Sequence, residues 1–235
     1  MEDIDTSRCR AEYAAAIVED LHWLGITWEG EVRVQSQHFP DYAAALARLQ
    51  ARGLLYPCFC SRAEIAAAQS APHGVEAPYP GTCRHLSPAL AAERIAAGAP
   101  YALRLDAAKA IAETGPLRFH EDGIGWVQAQ PARLGDVVLA RKDTPASYHL
   151  CVVHDDALQG ITLVVRGEDL REATHIQVLL QALLGYPTPA YLHHRLLLGP
   201  GGKRLAKRDK SQTLRELRAA GTKPADILRQ FGDIT

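Results

Sequence analysis

The stretch YHLCVVHDDALQGITLVVRGEDL, residues 148–170, decides the fold of this chain. Two apolar runs flank a polar centre near residues 155–160, and this reads as two β-type segments, YHLCVV and ITLVVRG, joined by a turn. The second run ends in Arg166-Gly167-Glu168-Asp169 just before a helical pattern. In an α/β sheet, ligands sit at the carboxyl edge of such a strand. There the planar fork of Arg166 suits a carboxylate, and Glu168 or Asp169 suits a ribose or an ammonium group. A structural ion pair accounts for the same residues.

Outward from this stretch the chain alternates between the two periodicities. Ile176, Leu179, Leu180 and Leu183 mark a helix closed by Gly185, and AYLHHRLLL reads as a further strand. Upstream, DVVLARKD and YALRL read as strands, and Ser87-Pro88 opens a helix that ends by Gly98. Pro40-Asp41 opens another, with Tyr42, Ala45, Leu46 and Leu49 on one face and Gly53 as its stop. Tyr13, Ile17, Leu21 and Leu24 predict an amphipathic first helix capped by Thr6 or Ser7 and ended at Gly25. LLYPCFC reads as a short strand, and SRAE from Ser61 to Glu64 as a capping box. Residues 66–80 lose periodicity and read as a loop, and two short helices finish the chain. Strands interleaved with helices of this length predict an α/β fold with a mostly parallel sheet.

With 235 residues and 47% apolar composition, the chain can bury a real core. No run approaches the roughly 18 apolar residues of a membrane helix, and the acidic start lacks the features of a secretory signal, so a cytoplasmic protein is expected. A net charge of −1 gives no general pull on a polyanion. The charge is unevenly spread, however: residues 195–235 hold ten Lys/Arg against four Asp/Glu, whereas the rest holds 16 against 23. The basic end is a candidate phosphate surface or a solvated helical tail.

Five cysteines, odd in number and clustered, argue against a disulfide framework. Cys58 and Cys60 end a predicted strand, and Cys83 follows beyond the loop with Tyr79 and His85 nearby. Three thiolates plus one further donor, Tyr79 or His85, would close the tetrahedral shell that structural zinc prefers. Buried core thiols are the competing reading. GPGGKRLAKRDKS, residues 199–211, is a Gly-rich loop that carries Lys203, Arg204, Lys207, Arg208 and Lys210 without P-loop spacing. Such cations suit a polyphosphate that gains charge during reaction, or simply solvent.

Three of these stretches together resemble the catalytic core of the class I glutamyl-tRNA synthetase group. Residues 148–170 resemble the group's long Y-x-L…D-D…G-I-T…R-G signature; Glu2-Asp3-Ile4-Asp5 with Arg8 resembles its acidic segment; and Arg204 to Arg208 stands at its lysine-rich loop, with Arg204 and Ala206 replacing the usual Lys and Ser. The group places a strand, a HIGH-type turn and a helix ahead of the acidic segment. The resemblance therefore implies a Rossmann-like parallel sheet incomplete at its N-terminus, with a small zinc-containing insertion and a short helical C-terminal end.

Only short helices follow the loop, which leaves no room for an anticodon-binding domain, and the cysteines are similar to the zinc site of the glutamyl-Q tRNA(Asp) synthetase family. That likeness implies ATP-dependent activation of glutamate without tRNA, then transfer to the queuosine base of tRNA(Asp), by a cytoplasmic monomer that uses magnesium with ATP. It implies Glu2, Tyr148 and Arg166 as glutamate-binding residues and Arg204, Lys207 and Glu168 as ATP-binding residues. Lys207 and Arg208 are then catalytic, and Cys58, Cys60, Tyr79 and Cys83 are zinc ligands. The implied segments are 1–53 and 136–212 for the catalytic domain, 54–135 for the insertion and 213–235 for the terminal helices. A fragment of a glutamyl-tRNA synthetase and a non-catalytic, zinc-stabilised RNA-binding remnant are the alternatives.

Overall fold

The computed structural model describes residues 1–61, 63–65, 78–141, 144–196 and 213–229. The chain divides into two compact units. One comprises Met1–Ser36, Val165–Asp169 and His193–Thr235; the other comprises Gln37–Val164 and Leu170–Leu192. No described helix is long and apolar enough to cross a membrane.

The larger unit is built on helix α2 (Phe39–Ala51), strand β1 (Leu55–Cys58), α3 (Pro88–Ala96), β2 (Ala102–Leu105), α4 (Ala107–Thr114), β3 (Arg118–Glu121), β4 (Gly125–Gln128), β5 (Val138–Arg141), α5 (Tyr148–Leu158) and α6 (Arg171–Leu184). Helix α2 buries Tyr42, Ala45, Leu46 and Leu49, the face its spacing predicts, and Gly53 follows at φ +63°. Ser87 caps α3 by accepting from the Leu90 amide. Ser61 and Glu64 form the reciprocal capping box, at 2.7 and 3.2 Å. Helix α6 is buried on nearly every side, and Gly185 ends it in the left-handed conformation. Within it Gln181 Nε2 donates to the Tyr191 hydroxyl at 2.9 Å, against a core of Phe119, Ala129, Val178 and Tyr191.

Two expectations fail here. Residues 148–158 are helix, not strand and turn. Val152 and Val153 favour a strand locally, but Ser147 caps a helix by accepting from Leu150 N, and α5 buries Leu150, Cys151, Val153 and Asp155 against α2 and α6. Tertiary packing overrides local propensity. Nor is the sheet mostly parallel. β1, β2 and β5 form an antiparallel three-stranded sheet, with a bulge between Leu103 and Arg104. The second sheet has the order β4-β3-β7-β6, with β6 at Leu163–Gly167 and β7 at Ala190–His194; β3 pairs with β4 antiparallel and with β7 parallel. The long excursion between β1 and β2 returns the chain antiparallel, so helix-strand alternation misleads.

The smaller unit holds α1 (Ala11–Trp23) and two terminal helices, α7 (Leu214–Ala219) and α8 (Pro224–Leu228). Arg218 of α7 reaches Glu19 at 2.9 Å and Asp20 at 3.5 Å on α1. Gly25 stops α1 as expected, but its N-cap is Arg10, without a side-chain bond. Thr6 and Ser7 instead sit in the preceding turn, where the Ser7 hydroxyl donates to Asp5 at 2.6 Å.

Candidate active site and metal centre

The end of β1 and the loop after it bring Cys58, Cys60 and Cys83 together, with all three sulfurs within 4.8 Å of one another. The Tyr79 hydroxyl lies 3.3 Å from Cys58 Sγ and 3.4 Å from Cys60 Sγ, and it accepts from the Cys83 amide at 2.9 Å. Cys60 and Cys83 sulfurs are 3.4 Å apart. A tetrahedral shell with Zn–S of about 2.3 Å separates its sulfurs by roughly 3.8 Å, so these donors need only small shifts to hold the ion. His85 is exposed and is not among the clustered donors, which leaves Tyr79 beside the thiols.

The electrostatics of the cluster fit a cation. Burial pushes the Cys60 thiol up to about 11, and burial together with the three thiols pushes the Tyr79 phenol upward. Burial also opposes ionisation of Cys83, but donation from Tyr79 and from the Phe59 amide outweighs it and holds that thiol below its ordinary value. Several anions in one desolvated pocket repel one another, and a divalent ion relieves this.

Sequence reasoning missed how the cysteine-bearing loop is held. The carboxylate of Asp136 is fully buried; it accepts from Arg84 Nε at 2.8 Å, lies 2.6 Å from Arg84 Nη2, accepts from the Ala107 amide at 3.0 Å and is bonded by the Tyr56 hydroxyl. Arg104 donates to the Asp136 carbonyl at 2.7 Å and stacks on the Tyr79 ring at 3.9 Å. A bridge from Tyr79 to Gly135 adds a backbone tie. Gly135 has φ +62°, and a Cβ there would lie 2.8 Å from Pro78 Cβ, so the close approach requires glycine. Arg84 and Asp136 are 52 residues apart in the chain, and no local pattern announces such a pair.

The other predicted residues are distributed between the units. Glu2 and Arg166 belong to the smaller unit, Tyr148 to the larger. Arg166 lies near the end of β6, where its Nε donates to His193 Nε2 at 3.1 Å. Glu168 accepts from the Leu196 amide at 3.4 Å. Between them a Cβ on Gly167 would fall 2.5 Å from Asp169 Oδ1. Tyr148 is the first residue of α5, with its ring 5.6 Å from that of His149. Of the acidic start, Asp3 accepts from the amide and hydroxyl of Ser36 at 2.8 and 2.6 Å, and Asp5 is occupied in its own turn. Lys203, Arg204, Lys207, Arg208 and Lys210 lie outside the described residues.

Residues 1–232 match the family described as tRNA synthetases class I (E and Q), catalytic domain. The chain belongs to this family. It is 48% identical to a protein of Rhodobacter capsulatus named glutamyl-Q tRNA(Asp) synthetase, over 99% of this chain and 86% of that one. It is 45% identical to a protein of the same name from Symbiobacterium thermophilum, over 97% of this chain and 72% of that one. Among solved structures it is similar to a glutamate-tRNA synthetase from Elizabethkingia anophelis, with a TM-score of 0.73 and 25% identity, covering 88% of this chain; it spans 45% of that longer chain.

As a member of the class I synthetases the chain is a ligase, and the family implies glutamate, ATP and tRNA as substrates. Within such an enzyme several residues of the signature stretch build the scaffold. Asp155 is buried and accepts from the Tyr42 hydroxyl at 2.9 and 3.0 Å. His154 pairs through Nδ1 with the Tyr186 hydroxyl at 2.9 Å and meets the Tyr42 ring edge-on. His175 is packed in α6, where its Nδ1 accepts from the Gln130 amide at 3.3 Å.

Proposed function

We propose that the protein activates glutamate with ATP without tRNA and transfers it to the queuosine base in the anticodon of tRNA(Asp). The observation that carries this reading is 42–48% identity to a series of relatives bearing the name glutamyl-Q tRNA(Asp) synthetase, most of them matched across nearly the whole chain. The cluster of three thiols and Tyr79 supports it independently. Cys58, Cys60, Tyr79 and Cys83 would hold zinc, whose role is to staple the loop after β1 rather than to enter the chemistry, because four protein donors leave no open position.

In the first step a glutamate carboxylate oxygen attacks the α-phosphorus of ATP; the bond to the bridging oxygen breaks, pyrophosphate leaves, and glutamyl-adenylate forms. Alignment and charge stabilisation do most of this work. Magnesium, which would accompany ATP, would supply further stabilisation of the leaving charge. Arg166 holds a substrate carboxylate, its fork oriented by the bond to His193, and Glu2 meets the ammonium. Tyr148 donates a hydrogen bond to the substrate. Glutamine would give Arg166 no anionic partner, which is the basis of selectivity. Arg204, Lys207 and Glu168 would bind ATP, with Lys207 and Arg208 as the catalytic cations. In the second step a cyclopentenediol hydroxyl of queuosine attacks the mixed anhydride carbonyl and releases AMP. The enzyme acts as a cytoplasmic monomer.

Glutamate-dependent ATP–pyrophosphate exchange measured without tRNA tests the first step. Labelled glutamate should then enter queuosine-containing tRNA(Asp) and be recovered, after nuclease digestion, on the anticodon fragment that carries queuosine and not on the 3′-terminal adenosine. Charging of tRNA(Glu) at its 3′ end would overturn this reading in favour of a glutamyl-tRNA synthetase, and no exchange at high substrate would favour a non-catalytic RNA-binding protein.

A further inference from the structure

We propose that the cleft between helices α2 and α3 and the strands β2 and β5 binds a small monocarboxylate with an aryl or branched apolar body. The site shares no residue with the glutamate and ATP positions named above and stands whether or not that reading holds. The cleft has a volume of about 510 Å³ and is bordered by Leu46, Gln50, Ile95, Tyr101, Leu103 and Arg141, all in the larger unit. That volume falls within the roughly 300–1,000 Å³ of small-molecule sites. Its origin lies in how α2 packs. The helix turns Tyr42, Ala45, Leu46 and Leu49 inward, while the adjoining Ala43, Ala47 and Gln50 stay exposed along the cleft. Methyl groups at 43 and 47 do not reach across, so the helix leaves the strands uncovered there. From the other side α3 contributes Ile95, which is 41% exposed. Apolar surface kept wet in a concave site gains from an apolar ligand that displaces the water.

A packing defect between small residues accounts for the alanines but not for the polar groups on the border. Arg141, Gln50 and Tyr101 carry the polar side chains there, and no carboxylate borders the cleft among the described residues. The Arg141 amide donates to the Thr144 carbonyl at 2.8 Å, which holds the two border residues Arg141 and Pro145 close together. The planar guanidinium fork fits the two oxygens of a carboxylate, and Gln50 and Tyr101 offer neutral donors beside it. One cation balances one negative charge. A phosphate monoester carries nearly two charges and three terminal oxygens, and it calls for more donors than this border supplies. Tyr101, whose ring lies 5.9 Å from that of Phe59, adds an aromatic wall suited to an aryl body.

The test titrates 1-naphthylacetate and its uncharged amide, by saturation-transfer NMR, against the parent, Arg141→Gln and Ala47→Leu, with thermal unfolding as the folding control. The parent should prefer the carboxylate by about tenfold, the lower end of what a hydrogen bond to a charged group contributes. Arg141→Gln should lose that preference and still bind the amide. Ala47→Leu keeps a good helix former but fills the cleft, so it should lose both probes. At ten times Kd the carboxylate should raise the parent's Tm by about 3–6 °C. Saturating glutamate and ATP should leave probe binding unchanged, and displacement by either would overturn a separate site. No binding to the parent, a preference retained in Arg141→Gln, or parental binding by folded Ala47→Leu would overturn it as well. Glutamate-dependent pyrophosphate exchange on the parent decides the functional reading independently of all these outcomes.

Discussion

Replacing Asp136 by Asn should loosen the loop that carries Cys83 from a position outside the thiol cluster. The substitution puts an amide NH2 where Oδ2 accepts from both Arg84 and Tyr56, so donors then face donors, while Oδ1 can still accept from Ala107. Breaking a buried ion pair from one side costs about 3–5 kcal/mol. Arg84 keeps 28% of its side chain exposed, so water takes over part of its solvation and the lower end, about 3 kcal/mol, is expected. For a chain of this size each kcal/mol moves the midpoint by roughly 2–4 °C, so Tm should fall by about 6–12 °C. Arg84 adjoins Cys83, so zinc should also leave faster in competition with a chromogenic chelator. Arg84→Gln and the double variant complete a cycle whose coupling should exceed 1 kcal/mol. A Tm within 2 °C of the parent, with unchanged zinc release, would refute the clamp.

Three further outcomes follow from the geometry. Removing zinc with a strong chelator, or substituting Cys60→Ser, should lower Tm, and excess zinc should restore the chelated parent but not the variant; at free zinc 100 times Kd the linked stabilisation is about 2.7 kcal/mol. Burial holds the His175 imidazole below its ordinary value, so the folded state resists a proton that the unfolded chain accepts. Its contribution to stability is therefore complete above the unfolded value of about 6.5 and is lost as pH falls through the lower folded value, so urea unfolding of His175→Asn should show a smaller acid-side loss than the parent. Gly167→Ala places a methyl group 2.5 Å from Asp169 Oδ1 and 3.0 Å from Leu196, and should cost about 1–3 kcal/mol in urea unfolding together with a raised KM for glutamate.

Helices with strong capping and one apolar face were legible in the sequence: α2, α3 and α6 begin and end within a residue or two of their signals at Pro40, Ser87, Gly98 and Gly185. Helix α5 was not, because YHLCVV has strand propensity and its helicity depends on α2 and α6 packing against it. The β3–β4 hairpin also escaped notice. Its turn at residues 122–124 is short, and its exposed face carries Arg118 over the Trp126 ring, so no clean alternation of apolar and polar residues appears. The cysteine cluster was legible from spacing alone. What fixes its geometry depends on contacts distant in sequence, such as Arg84 to Asp136, and these become visible only in three dimensions.

The same distinction separates chemistry from scaffold within the signature stretch. A motif that recruits a family mixes both kinds of residue, and hydrogen-bond partners sort them. Asp155 is engaged by Tyr42, His154 by Tyr186, and Asp3 by Ser36, so each satisfies a neighbour inside the protein. Arg166 donates through Nε to His193 at 3.1 Å, and the proposed function gives its guanidinium a substrate carboxylate as well. Arg166→Lys keeps the charge but loses the planar fork and the bond to His193, so it should raise KM for glutamate far more than KM for ATP. Equal effects on both substrates would mean that Arg166 supports the strand rather than the amino acid.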